Sequence, residues 1–236
     1  MPALASRLAG IPERTAAAPW PQHEFVRGWG VFALPFDSGH VLALRVFPQG
    51  TFGPYRTVWH RDPDGRWSIY VDGAQPERAC PRYYGPALTR QAQATIELTW
   101  TGPHSLSIRM DEPTLTWTLT SSTTPALALV NAASALMPSA SWRHPSLLRA
   151  RETVARALGM GSLQLAGTMP SGHVGVLMPK RMYFVDNARA HMDGVDFGRP
   201  VRLDHNPTIG GVPLPARGVL AQGEARWHIL DEGAET

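Results

Sequence analysis

Asp62-Pro63-Asp64-Gly65 constrains its surroundings more tightly than any other stretch of this chain. Pro63 stands at the second position of a four-residue turn, where its ring already holds φ at about −65°, and Gly65 stands at the fourth, a type I pattern. A glycine there in the left-handed region makes a G1 bulge, which sets the register of a hairpin over Thr57–Asp72. Arg61 then pairs with Trp67, and Trp59 with Ile69. Trp59, Trp67, Ile69 and Val71 share one face, while Arg56, His60, Ser68, Tyr70 and Asp72 share the other. The first face is built for burial. The second reads either as solvent surface or as a polar site.

Period-two alternation extends this pattern along the first half of the chain. Trp29–Phe36 is apolar on both faces, which suggests a central strand covered on each side. His40–Phe47 returns after the turn Asp37-Ser38-Gly39, and Tyr55–Arg61 and Arg66–Asp72 form the hairpin. Gln93–Thr101 sets Ala94, Ile96, Leu98 and Trp100 against Gln93, Thr95, Glu97 and Thr99. His104–Asp111 and Thr114–Thr120 follow through turns at Gly102-Pro103 and Glu112-Pro113. Seven strands joined in this way read as an antiparallel meander. Pro125–Met137 and Pro145–Leu158 are helix-compatible, the second opened by Pro145-Ser146 and stopped by Gly159. Strand patterns resume at Ser162–Thr168, His173–Met178, Arg181–Asn187, Arg189–Met192 and Arg217–Leu230, the last with a bend at Gly223.

The expected fold is mainly β, an antiparallel meander forming a barrel-like or two-sheet body with one or two helices after the seventh strand. Residues 1–24 read as a flexible or draped leader and 231–236 as a tail. A single β-rich domain is expected over 25–230, divided into a meander (25–124), a helical interlude (125–160) and a second strand group (161–230).

With 43% hydrophobic residues over 236 positions, the chain can bury a sizeable core. The net charge is +3, and all but Lys180 of the 22 basic residues are arginine. Those arginines are scattered, which argues against a nucleic-acid footprint. Cys80 is the only cysteine, so there is no intrachain disulfide and no cysteine-based metal site, and a reducing, cytoplasmic setting is expected. No run of about 18 apolar residues occurs, so no membrane insertion is expected. The nine histidines lack the spacing of a short metal motif. There is no Gly-x-Ser-x-Gly elbow, no P-loop and no Gly-x-Gly-x-x-Gly. Neither a metal nor any other cofactor is therefore assigned. Exposed sheet edges could pair two copies into a homodimer.

The segment Trp59-His60-Arg61-Asp62-Pro63-Asp64-Gly65-Arg66-Trp67-Ser68-Ile69-Tyr70 and the meander around it resemble the calycin (lipocalin-like) barrels. More loosely, they resemble bacterial proteins of such folds that act on terpenoids or polyketides. The resemblance implies a small apolar or amphipathic molecule held in a barrel-like cavity. The expected role is a cofactor-independent enzyme of isomerase, cyclase, hydratase or lyase type. The alternative is a non-catalytic carrier.

Arg56, His60, Tyr70 and Asp72 are the candidate catalytic set. A carboxylate can orient an imidazole or a phenol, and an arginine can stabilise an oxyanion or enolate. Alternation on a solvated sheet face explains the same residues without chemistry. The connection Gly73–Ala92 has the length of a lid or binding loop. Its Arg82, Tyr83 and Tyr84 either face a ligand at the sheet's mouth or plug the barrel end, with Arg82 paired to Glu77 or Asp72. Trp59, Trp67, Trp100 and Trp117 either fill the core or line an apolar cavity.

Overall fold

In the computed structural model, which describes residues 4–230, the hairpin has the register its turn dictates. Gly65 sits at φ +89° and donates its N–H to Asp62 O at 3.0 Å. Arg61 lies opposite Trp67, and Trp59 opposite Ile69. The side chain of Asp62 accepts from Arg66 N at 2.8 Å, which closes the turn.

Ten strands carry the architecture. They are β1 (His23–Pro35), β2 (Val41–Gly50), β3 (Tyr55–Arg61), β4 (Trp67–Asp72), β5 (Arg90–Gln93), β6 (Ile96–Trp100), β7 (Ser105–Met110), β8 (Leu115–Ser122), β9 (Val174–Met192) and β10 (Val219–His228). They bond laterally in the order β5-β4-β3-β2-β1-β10-β9-β8-β7-β6. Only the β4–β5 pair along this path is parallel. The two edge strands, β5 and β6, are consecutive in the chain. The sheet therefore curls into a half-barrel whose edges meet at one corner. There Ile96 O accepts from Arg56 Nη1 at 3.1 Å, and Ile96 N donates to Asp72 Oδ2 at 3.2 Å.

Glycines permit the curl. Gly28 on β1 lies opposite Gly223 on β10. A Cβ on Gly28 would overlap the carbonyl oxygen of Val46, and one on Gly223 that of Met178. Bulges at Arg27/Trp29 and at Pro179/Arg181 lie on the same rows, and bulges sharpen local twist.

The inner face holds one continuous core that includes Val31, Leu44, Val58, Tyr70, Ile108 and Trp117. Helix α1 (Leu4–Ala9) contributes Leu4 and Leu8 to it, so part of the leader packs against the body. The hairpin's second face is therefore lumen-side, with Val58 and Tyr70 buried in that core. The opposite face of β1 to β4 and β10 carries Val26, Phe47, Trp59, Trp67, Ile69 and Trp227. It is covered by the 73–92 connection, which includes helix α2 (Pro81–Tyr84), and by Met169, Ile209, Val212 and Leu214. Among the described residues no helix is long and apolar enough to cross a membrane.

Helices α3 (Pro125–Leu136) and α4 (Pro145–Ala157) interrupt the strands where the sequence places them. Thr124 caps α3, accepting from Leu127 N at 3.2 Å. Asn131 then bonds Met182 through both its amide groups, each at 2.8 Å. It stands in for the neighbouring strand that β9 lacks at that point. β9 itself joins three segments that the sequence separates. Its first half pairs with β10 and its second with β8. The expected tail, Asp231–Thr236, lies outside the described residues, as do the first three residues of the leader.

Candidate functional site

The four acid–base candidates divide into three separate environments. Arg56 and Asp72 face each other at the open end of the hairpin, with Nη1 and Oδ2 3.6 Å apart, and both bond Ile96 at the closing corner. Tyr70 is buried in the inner core at 4% exposure. His60 stands four residues from Arg56 along β3, on the order of 13 Å at the usual strand rise. Its Nε2 lies 2.9 Å from His40 Nδ1, and both rings stack on Phe197. Burial first, and His40 second, hold the His60 imidazolium down at about 4. The geometry does not bring these groups to one reacting centre.

The 73–92 connection is a packed cover. Arg82 reaches neither Glu77 nor Asp72 but the buried Glu24, bonding it through Nε at 2.9 Å and Nη2 at 2.7 Å. Tyr83 donates to the same carboxylate at 2.6 Å, and its ring stacks on Trp227 with centroids 3.9 Å apart. Burial pushes the Tyr83 phenol far up, and the bond to Glu24 adds to it. Trp67 donates Nε1 to Thr208 O at 2.8 Å. Trp117 is fully buried inside the half-barrel, and Trp100 packs on Trp29 with centroids 5.5 Å apart.

Trp59 and Tyr84 do come together, 4.8 Å apart and edge to face, on the wall of an apolar cavity. It lies between the outer face of β1, β2, β3, β9 and β10 and the segments 160–165 and 212–215. Phe32, Phe47, Leu177, Leu214 and Trp227 supply much of the lining of a cavity of about 80 Å³. Four residues with titratable side chains line it: Arg45, Cys80, Tyr84 and Glu224.

Arg45 is the most unusual of these. β2 is buried along its whole length, and alternation puts Arg45 on the outer face with Val41, Ala43 and Phe47. Its guanidinium donates to Val31 O at 2.6 Å, Leu44 O at 3.1 Å and Phe32 O at 3.2 Å. The carbonyls of Val31 and Phe32 are available because β1 bulges between Val31 and Leu34. The cation lies between two aromatic faces, 4.2 Å from the Phe32 centroid and 4.7 Å from that of Trp59. Burial pulls its pKa down. Beside it, Thr57 Oγ1 contacts Cys80 Sγ at 3.6 Å and receives Trp59 Nε1 at 2.8 Å. Burial pushes the Cys80 thiol and the Tyr84 phenol up, so both are neutral near pH 7.

Glu224 separates this cavity from a more polar cleft of about 400 Å³ lined by Arg27, Lys180 and Arg181. Its carboxylate accepts from Arg27 Nε and Lys180 Nζ at 3.0 Å each and from Arg226 Nη2 at 2.7 Å. Burial alone would raise the carboxyl. The Arg226 and Lys180 hydrogen bonds, with the charges of Lys180 and Arg27, outweigh it and hold the pKa at about 2.

Sequence reasoning missed Arg45 and Glu224. The available signal was a single arginine inside Val41–Phe47, a strand otherwise apolar on both faces. Searches against protein families, curated proteins and solved structures returned no match to this chain.

Proposed function

We propose that this protein binds a small apolar or amphipathic molecule in the cavity between the outer sheet face and the segments 160–165 and 212–215. The observation carrying this reading is the cavity itself, walled by aromatic and aliphatic side chains with a few polar groups, the usual makeup of a ligand site. The likeness to calycins enters at this level, as a β scaffold that shelters a small hydrophobic ligand. The cavity lies on the outer face of the curled sheet, whereas the inner face is filled by core.

Binding is favoured over isomerase, cyclase or lyase chemistry because the acid–base candidates stand apart from the cavity. The groups that line it are held in inert protonation states: Cys80 and Tyr84 stay protonated, and Glu224 stays ionised among three cations. A general acid or base works best with a pKa near the operating pH.

Native mass spectrometry of the purified protein, with displacement of a polarity-sensitive dye, tests the reading. A small molecule retained by wild type and lost from Ala221→Phe, which fills the cavity wall, is the expected result. Equal retention by that variant, shown to be folded, overturns it.

A further inference from the structure

We infer that the ligand of this cavity is a small amphipathic anion whose carboxylate is received by Arg45. The inference rests on the binding reading above and adds to it the chemistry of the ligand's polar end. Arg45 is only 5% exposed. A buried cation is costly unless it is paired and hydrogen-bonded. Among the described residues no carboxylate comes within 4.0 Å of this guanidinium, although nine other arginine or lysine contacts to carboxylates occur there.

Its partners are three backbone carbonyls and two rings. An arginine has five N–H donors, and three hydrogen bonds leave two for another acceptor. Arg45 lines the cavity, so an acceptor arriving through the cavity can use them. The planar fork matches a carboxylate better than any single-point anion.

The rest of the wall is compatible with negative charge. Glu224 is the one carboxylate there, and three cationic side chains already bond it. Cys80 and Tyr84 remain neutral and can donate. The surrounding lining suits a short alkyl or aryl body, and the open volume is on the order of several waters.

A purely structural role for Arg45 makes a different prediction. If it only ties the bulge in β1, the cavity has no preference for charge at the ligand's end. The test uses octanoate, 1-octanol and octylammonium as probes, titrated into the full chain by calorimetry and dye displacement. Wild type is expected to bind octanoate about tenfold or more tighter than octanol, the usual worth of a charge-assisted hydrogen bond, and to reject octylammonium. Arg45→Met is expected to bind acid and alcohol with similar affinity, losing the preference for the acid.

Equal binding of acid and alcohol by wild type overturns the inference while leaving the cavity reading intact, and it does so whether or not Arg45→Met folds. Binding of none of the three probes overturns both. An acid preference that survives in Arg45→Met but disappears in Lys180→Met places the anion in the neighbouring polar cleft and overturns the assignment to Arg45.

Discussion

His40 Nδ1 and His60 Nε2 lie 2.9 Å apart on adjacent strands, close enough that one ring must donate to the other. Their rings stack 5.1 Å apart, and Phe197 packs on both. The arrangement requires at least one neutral imidazole. Burial and the neighbouring His40 lower the pKa of His60 from 6.5 to about 4.

The pair should therefore make the fold acid-sensitive. Between pH 6.5 and 4 the unfolded chain binds a proton at this position that the folded chain does not. Stability falls as the pH drops through that window, by on the order of 2 kcal/mol from His60 alone. Urea melts at pH 7.5, 5.5 and 4.5 should show a smaller loss for His60→Gln than for wild type. Parallel losses in the two proteins would remove His60 as the cause.

The bend at Gly28 and Gly223 makes a second prediction. Either glycine changed to alanine drives a methyl into a backbone carbonyl, of Val46 or of Met178. Backbone cannot yield as a side chain does, so each substitution should cost about 3 kcal/mol or more, read as a lowered urea midpoint. Gly85→Ala is the control, since nothing lies within 4 Å of the added atom, and it should change stability by under about 0.5 kcal/mol.

How far the sequence could be read follows from the range of the interactions involved. The hairpin was legible because four consecutive residues set its register. The helix over 125–136 is legible from its Ala- and Leu-rich composition and that over 145–157 from Pro145-Ser146 at its start and the Gly159 stop. The sequence pattern divides β9 into three strands because Pro179 and two bulges shift its side-chain parity, which is what a period-two reading depends on. Contacts distant in sequence were out of reach. Arg82 has acidic neighbours at Glu77 and Asp72, yet it pairs with Glu24, 58 residues away, because the connection folds back over β1. The cavity likewise draws on segments from Gly28 to Trp227. The lone arginine of Val41–Phe47 marks an unusual position, but nothing local ties it to the distant segments that build the cavity around it.

The clamp on Glu24 should decide how firmly the 73–92 cover is held. Tyr83→Phe removes one bond to a buried carboxylate while leaving Arg82 in place, for a cost of about 1–2 kcal/mol. Glu24→Gln weakens both contacts. Limited proteolysis should cut within 73–92 faster in Glu24→Gln than in Tyr83→Phe, and slowest in wild type. Cleavage at equal rates would mean that stacking on Trp227, rather than the carboxylate, retains the cover.

The corner where β5 and β6 approach is held by side chains in place of a strand ladder. Asp72 accepts from Ile96 N, and Arg56 donates to Ile96 O. These contacts occupy the first backbone groups of β6, an edge strand whose remaining unpaired groups are a template for another chain. Asp72→Ala frees that N–H and should destabilise the fold by about 1 kcal/mol. It should also raise the concentration-dependent dimer fraction above that of wild type in sedimentation velocity. Asp72→Asn keeps an oxygen acceptor for Ile96 and should sediment as wild type does. If the alanine variant shows no added self-association, the β6 edge is protected along its length by its own twist and charge, and the Asp72 contact serves stability alone.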